Sequence, residues 1–299
     1  MRNKYTIYKG LLTLVLVAVA YLANAGNPVY TKEFNKSYQV SSDATMDLET
    51  SFGDITITTW DQNTIDIHVE VKVEAKSEEK ANKLFDKIDV KIIEQSNHIK
   101  LKTNVNNMDS GDNEWSIDVV IKMPRTGNLD ADHSFGSLEI NELSGKCDVD
   151  LSYGEFKADV LSNNNNNIKV AFGDGEIGQA GGGEMKVEFG NFDIDRVMGN
   201  SEISCSYGDL DVDFVSKKCS ELVIHNDFGS VDITLEAGSN YDVKANASFG
   251  DVDLPSSAKI ISEDEDFTSI SLKARIGDGA NPGELEINCS FGDAEIDID

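Results

Sequence analysis

The 299-residue sequence predicts an all-β fold, a single-stack β-solenoid with coils of about 18–21 residues and one short helix near its N-terminal side. Two observations predict it. An aromatic-glycine pair recurs at a nearly fixed interval, and apolar residues alternate with polar ones on both sides of that pair.

Ten copies align on the pair: SFGD at Phe52, SFGS at Phe135, SYGE at Tyr153, AFGD at Phe172 and EFGN at Phe189, then SYGD at Tyr207, DFGS at Phe228, SFGD at Phe249, RIGD at Ile276 and SFGD at Phe291. From Phe135 to Phe249 the steps are 18, 19, 17, 18, 21 and 21 residues. Such a period marks a stacked-repeat architecture, each coil burying its apolar side against the next.

The flanks identify the elements. Met185 and Val187 precede Phe189, and Phe192 and Ile194 follow it; Ile203 and Cys205 precede Tyr207, and Leu210, Val212 and Phe214 follow. Period two on each side means two half-buried strands. The parity slips by one across the glycine, which makes the pair a corner. On this reading the aromatic points inward and stacks coil on coil, glycine supplies a positive φ, and the Asp, Asn or Ser after it bonds the local backbone.

Between corners, "SNNNNN" at 162–167, "GQAGGG" at 178–183 and "EAGSN" at 236–240 read as returns between strands. Residues 26–127 have a different rhythm. Alternating strands at 63–75 and 97–105 enclose "SEEKANKLFDKI" (77–88), a short helix with Ser77 as N-cap and Glu78 and Glu79 in its first turn. That helix is expected to cap one end of the stack. The chain thus divides into a leader at 1–25, a β-rich part with the capping helix at 26–127 and the repeat solenoid at 128–299.

The strand, helix, strand, "VVIKMP" at 119–124 and the serial corners resemble the bacterial putative-adhesin domain family of unknown function. The resemblance covers most of the chain after the leader. It implies a secreted or surface-facing β-solenoid, with an association of some members with envelope-stress systems, and it brings no catalytic residues to carry over.

The leader reads as a secretory signal. Arg2, Lys4 and Lys9 precede the apolar "LLTLVLVAVAYLA", and Ala23-Asn24-Ala25 is a small-residue cleavage site. The apolar run falls short of the ~18–20 residues of a membrane span. Its removal leaves 23 of the 26 basic residues against 54 acidic ones. Such a surface repels nucleic acid, whose binding rests on phosphate neutralisation, and anionic membranes.

Cys147, Cys205, Cys219 and Cys289 lack CxxC or zinc spacing, and Cys205 and Cys289 share an inward repeat position several coils apart, which assigns them to packing. His133 has the inward parity of a core histidine, His68 the outward parity, and His98 and His225 have no Cys or His nearby. "GDGEIG" at 173–178 imitates a glycine-rich phosphate loop but is one corner repeat. The second corner position reads Asp54, Ser137, Glu155, Asp174, Asn191, Asp209, Ser230, Asp251, Asp278, Asp293. Its last three acids could crowd enough to attract calcium, although a solvated ladder diluted by Ser and Asn is the preferred reading.

No catalytic, cofactor-binding or metal residue is singled out, and no cofactor is expected. The sequence is read as an exported, non-enzymatic, adhesin-like monomer located in the periplasm, on the outer surface or outside the cell. It would bind a glycan or protein ligand or act as a scaffold. The alternatives are a polysaccharide-acting β-helix enzyme, which would need two carboxylates across a cleft, and a periplasmic structural or envelope-stress module. The final strand "AEIDID" is expected to close the stack, its acids guarding a bare edge.

Overall fold

The computed structural model describes residues 13–17, 27–106 and 115–299. These form an all-β protein of two large, mostly parallel sheets, with one helix, Glu78–Phe85, among the described residues. The expected leader lies outside the described residues except for Thr13–Val17, a strand antiparallel to Val29–Gln39.

The middle of the chain shuttles between the sheets. Cys147–Ser152 lies in one sheet, and Phe156–Leu161, just past the Tyr153-Gly154 corner, lies in the other. One repeat later Asn166–Ala171 pairs in parallel with the first and Gly175–Ala180 with the second. The period-two pattern explains why this happens twice per repeat. Val149 and Leu151 of one strand and Phe156 and Ala158 of the next all face the space between the sheets, at 2% exposure or less. In-register parallel pairing then puts Val149 beside Ile168, and Ile168 beside Met185. One continuous apolar interior runs the length of the stack.

Several residues read as returns belong to strands. Asn166 and Asn167 open Asn166–Ala171, and Gly178 to Ala180 close Gly175–Ala180. Asn166 is buried because its amide satisfies the turn: it accepts from Cys147 N at 3.2 Å and donates to Asn163 O at 2.7 Å.

Both ends of the stack depart from sequence order. At the N-terminal end, Thr45–Ser51 sits between His98–Val105 and Asn128–Ser134, so the later His98–Val105 lies outside the earlier strand. At the C-terminal end, Gly283–Ser290 is inserted between Glu221–Asp227 and Tyr241–Ser248, and Ala294–Ile298 between Val231–Leu235 and Val252–Asp253. The final strand therefore does not close the stack. Its neighbour Val252–Asp253 covers only Ala294 and Glu295. The other sheet continues into an antiparallel hairpin, Lys259–Glu265 with Ser269–Ile276, and the outer strand carries Lys259, Glu263, Asp264 and Glu265 on the free edge. Charges on an edge strand oppose pairing with another chain.

The helix is one turn shorter than the 77–88 stretch. Ser77 Oγ accepts from Lys80 N at 3.4 Å, Glu79 pairs with Lys83 at 2.8 Å, and Ala81, Leu84 and Phe85 are its buried face. They pack toward Thr64–Glu74 in one sheet and Ile88–Gln95 in the other, so the helix covers the N-terminal end of the interior.

Candidate binding surface

The corners do not have the geometry that parity predicts. In nine of them the aromatic occupies the left-handed region, with φ from 55° to 65°, at Phe52, Phe135, Tyr153, Phe172, Phe189, Tyr207, Phe228, Phe249 and Phe291. That backbone turn swings the ring out of the interior. Eight of the nine are 47–60% exposed, and Phe52 is shielded by the edge of Trp115 at 5.1 Å. The expectation of inward aromatics is therefore wrong. The tenth copy, at Ile276, is not such a corner: Ile276 ends an antiparallel strand and is buried.

The rings form one continuous ladder. Consecutive centroids lie 4.6–5.0 Å apart with interplanar angles of 1–10°, in the order Phe52, Phe135, Tyr153, Phe172, Phe189, Tyr207, Phe228, Phe291, Phe249. This is the spacing of paired strands, so the stacking distance is imposed by the backbone ladder. A left-handed φ is costly for a bulky residue, on the order of 1–2 kcal/mol. Stacking on both faces, worth about 0.5–1.5 kcal/mol per aromatic pair, offsets it.

The glycine has a different job from the one expected. Only Gly53 among the corner glycines has a positive φ. A Cβ on Gly190 would lie 2.1 Å from Gly173 O, and one on Gly208 2.0 Å from Gly190 O. The same clash repeats at Gly136, Gly154, Gly173, Gly229, Gly250 and Gly292. Glycine is required because each corner rests on the carbonyl of the corner below.

The polar corner residue also reaches across repeats rather than locally. Asp54 Oδ1 accepts from Ser137 N at 2.9 Å, Asp174 Oδ1 from Asn191 N at 2.7 Å, Asp209 Oδ1 from Ser230 N at 2.9 Å and Asp293 Oδ1 from Asp251 N at 2.9 Å. The crowding foreseen for Asp251, Asp278 and Asp293 does not arise, because Asp278 leaves the column and pairs with Lys259 at 2.5 Å. Among the described residues no group of three or more His, Cys, Asp or Glu side chains has metal-binding geometry.

A second acidic column runs beside the first on the outer face of the sheet. Register places Glu139, Lys157, Glu176, Asp193, Asp211, Asp232, Glu295 and Asp253 next to one another in that order. Lys157 pairs with Glu176 at 2.5 Å, and beyond it five consecutive positions are acidic with no ion pair among the described residues. Partial burial and then neighbouring acids hold Asp193 and Asp211 above the usual carboxylate range. Asp232 and then Asp297 do the same for Glu295. The shift is found at these three positions of the column.

The other candidates are structural. His133 is buried with Nδ1 2.8 Å from Thr50 Oγ1, and burial lowers its pKa, which keeps it neutral. His68 is half-buried against Asn35 and His98 lies 2.9 Å from Asp47. All four cysteines are buried free thiols. Burial pushes Cys205 up to about 12 and Cys289 up to about 11. Cys205 and Cys289 flank Asn226 in adjacent strands, so they are two repeats apart and not several. At ~4.8 Å per strand that is still beyond disulfide reach. Both thiols point at corner carbonyls: Cys205 Sγ lies 3.4 Å from Gly208 O and Cys289 Sγ 3.1 Å from Gly292 O.

Neither a protein-family model nor a curated protein matches the sequence. Similar solved structures include a putative cell adhesion protein from Clostridium sporogenes, 13% identical over 90% of this chain and 100% of that one, with a TM-score of 0.27. A putative lipid binding protein from Parabacteroides distasonis is 14% identical, covering 88% and 96%, with a TM-score of 0.32. A putative adhesin from Bacteroides fragilis is 12% identical, covering 89% and 97%, with a TM-score of 0.31. The functional reading therefore rests on this chain's own surface.

Proposed function

We propose that this chain is an exported, non-enzymatic β-solenoid that binds a ligand, or serves as a scaffold, at the cell envelope or surface. The observation that carries the reading is the outward aromatic ladder. A half-exposed ring leaves ~100 Å² uncovered, so the ladder presents several hundred Å² of contiguous apolar surface, more than an ordinary monomer leaves bare. Such a ridge costs solubility unless something uses it. The shuttling path between two parallel sheets supports the solenoid description, and the acidic face supports a monomer that resists self-association.

The enzyme alternative finds less support. The hollow bounded by Glu139, Glu155, Asp174, Glu176 and Asp193 is a segment of the repeating acid columns, and Lys157 already neutralises Glu176 there. The scaffold reading makes no use of the exposed ridge.

Fractionating cells that produce the full chain and cross-linking it in place tests the reading. The expected result is a form cleaved after Ala25, outside the cytoplasm and cross-linked to envelope or extracellular material. An uncleaved chain retained in the cytoplasm would overturn it.

A further inference from the structure

We infer that the aromatic ridge and the acid columns beside it together dock a cationic amphipathic peptide segment of another protein. This rests on the reading of the ridge as a binding surface and names the partner's chemistry.

The ring geometry narrows the possibilities first. Inside the ladder both faces of every ring are covered by neighbours 4.6–5.0 Å away. A sugar ring or a guanidinium needs an open aromatic face to stack upon, and these rings offer only their rims. A rim is apolar and slightly positive, so it accepts aliphatic side chains but does not itself attract cations. The attraction must come from the flank. Asp174, Asp209 and Asp293 stand two residues beyond their rings, held in place by the backbone N–H of the neighbouring repeat. Two residues further on, Asp193, Asp211, Asp232, Glu295 and Asp253 form the uncompensated run.

Ridge and columns run parallel because both are set by the same strand register. With nine rings at ~4.8 Å, the ridge is roughly 38 Å long. A helix of about 25 residues, at 1.5 Å per residue, matches that length. Its apolar stripe would lie on the rims and its Lys or Arg side chains over the carboxylates. A second copy of this chain docked with its acid columns opposite these would meet like charge across the contact.

The test uses the purified full chain and three labelled peptides of one length. One is Leu/Lys patterned as an amphipathic helix, the second has Leu with Glu, and the third has Ser with Lys. Binding is read by fluorescence anisotropy at physiological salt. Two variants keep the fold: Phe172→Asn with Phe189→Asn, because Asn tolerates the left-handed backbone, and Asp193→Asn with Asp211→Asn and Asp232→Asn, which removes like-charge repulsion. The Leu/Lys peptide should bind, and each variant should weaken it by about ten-fold or more. The Ser/Lys and Leu/Glu peptides should bind at least about ten-fold more weakly than Leu/Lys. Equal binding of Ser/Lys would show charge alone at work and overturn the proposal, as would equal binding of Leu/Glu or no binding of any peptide. If envelope cross-links disappear in the Phe172→Asn, Phe189→Asn variant while no cationic peptide binds, the binding surface stands and the cationic partner falls.

Discussion

Phe189 and Phe192 are three residues apart and do opposite things. Phe192 is fully buried in the space between the sheets. Phe189 stands on the outside at φ 60°, 47% exposed, touching mainly the rings above and below it. Composition does not separate them, since both are phenylalanines in an alternating pattern. Backbone geometry does, because one residue in the left-handed region rotates its side chain out of the parity that governs its neighbours. The interior column holds the sheets together, and the exterior column decorates one corner of the stack.

The glycine between them should be the most sensitive position. Gly190→Ala puts a methyl 2.1 Å from the Gly173 carbonyl, a backbone atom fixed in its own ladder. A loss of about 4 kcal/mol or more is expected in chemical denaturation, at the upper end for overpacking and single substitutions. A midpoint close to that of the unaltered protein would mean the repeats are not stacked corner on corner.

The two phenylalanines come next. Phe192→Ala should cost about 3–5 kcal/mol, the range for a fully buried aromatic. Phe189→Asn should cost no more than about 1–2 kcal/mol, because it loses two stacking contacts but relieves the backbone strain. Equal losses would erase the distinction between the two columns.

The smallest effect concerns the acids. Asp193, Asp211 and Glu295 have folded-state pKa values above their ordinary ones, from partial burial in the first two and like charge in the third. The folded state therefore holds those protons more tightly. Their stabilising contribution appears as pH falls through the raised carboxylate values and is lost as pH rises through them. Glu236 and Asp278, held low by Lys217 and Lys259, work in the opposite sense. Against this background, Asp193→Asn with Asp211→Asn should raise stability at neutral pH by less than about 1 kcal/mol, since both acids are largely in water. The same variant should gain less than the unaltered protein on mild acidification. A thermal-melting series across pH would show it, and an identical pH profile for both proteins would remove the acid column as an electrostatic unit.

Much of this was legible in the sequence. Period two around Val187 and Phe192 gave both strands and their buried faces, and the repeat steps gave the stacking. Parity misplaces the rings because it counts residues as if the backbone stayed extended, whereas Phe189 leaves that region. A weak signal existed: two of the nine positions carry tyrosine, Tyr153 and Tyr207, whose hydroxyls are at ease in water. Sequence alone suggests positive φ, the commoner cause, for the glycine, because the clash that requires it involves a residue about eighteen positions away. The out-of-order C-terminal strand also left a trace. The spacing from Phe249 to Ile276 to Phe291 breaks the earlier rhythm, since an added hairpin lies between. Sequence spacing does not reveal that the returning strand slots in beneath the one before it.

The claim that the corner rings lie outside while their near neighbours lie inside can be measured in one experiment. Hydroxyl-radical footprinting with mass spectrometry reads side-chain oxidation at each aromatic of the folded protein. Phe172, Phe189, Tyr207 and Phe228 should be oxidised readily, and Phe156, Phe192 and Tyr241, each at 1% exposure or less, should be protected until the protein unfolds. Protection of the corner rings to the same degree as Phe156 and Phe192 would contradict the exterior ladder, and with it the binding surface built on it.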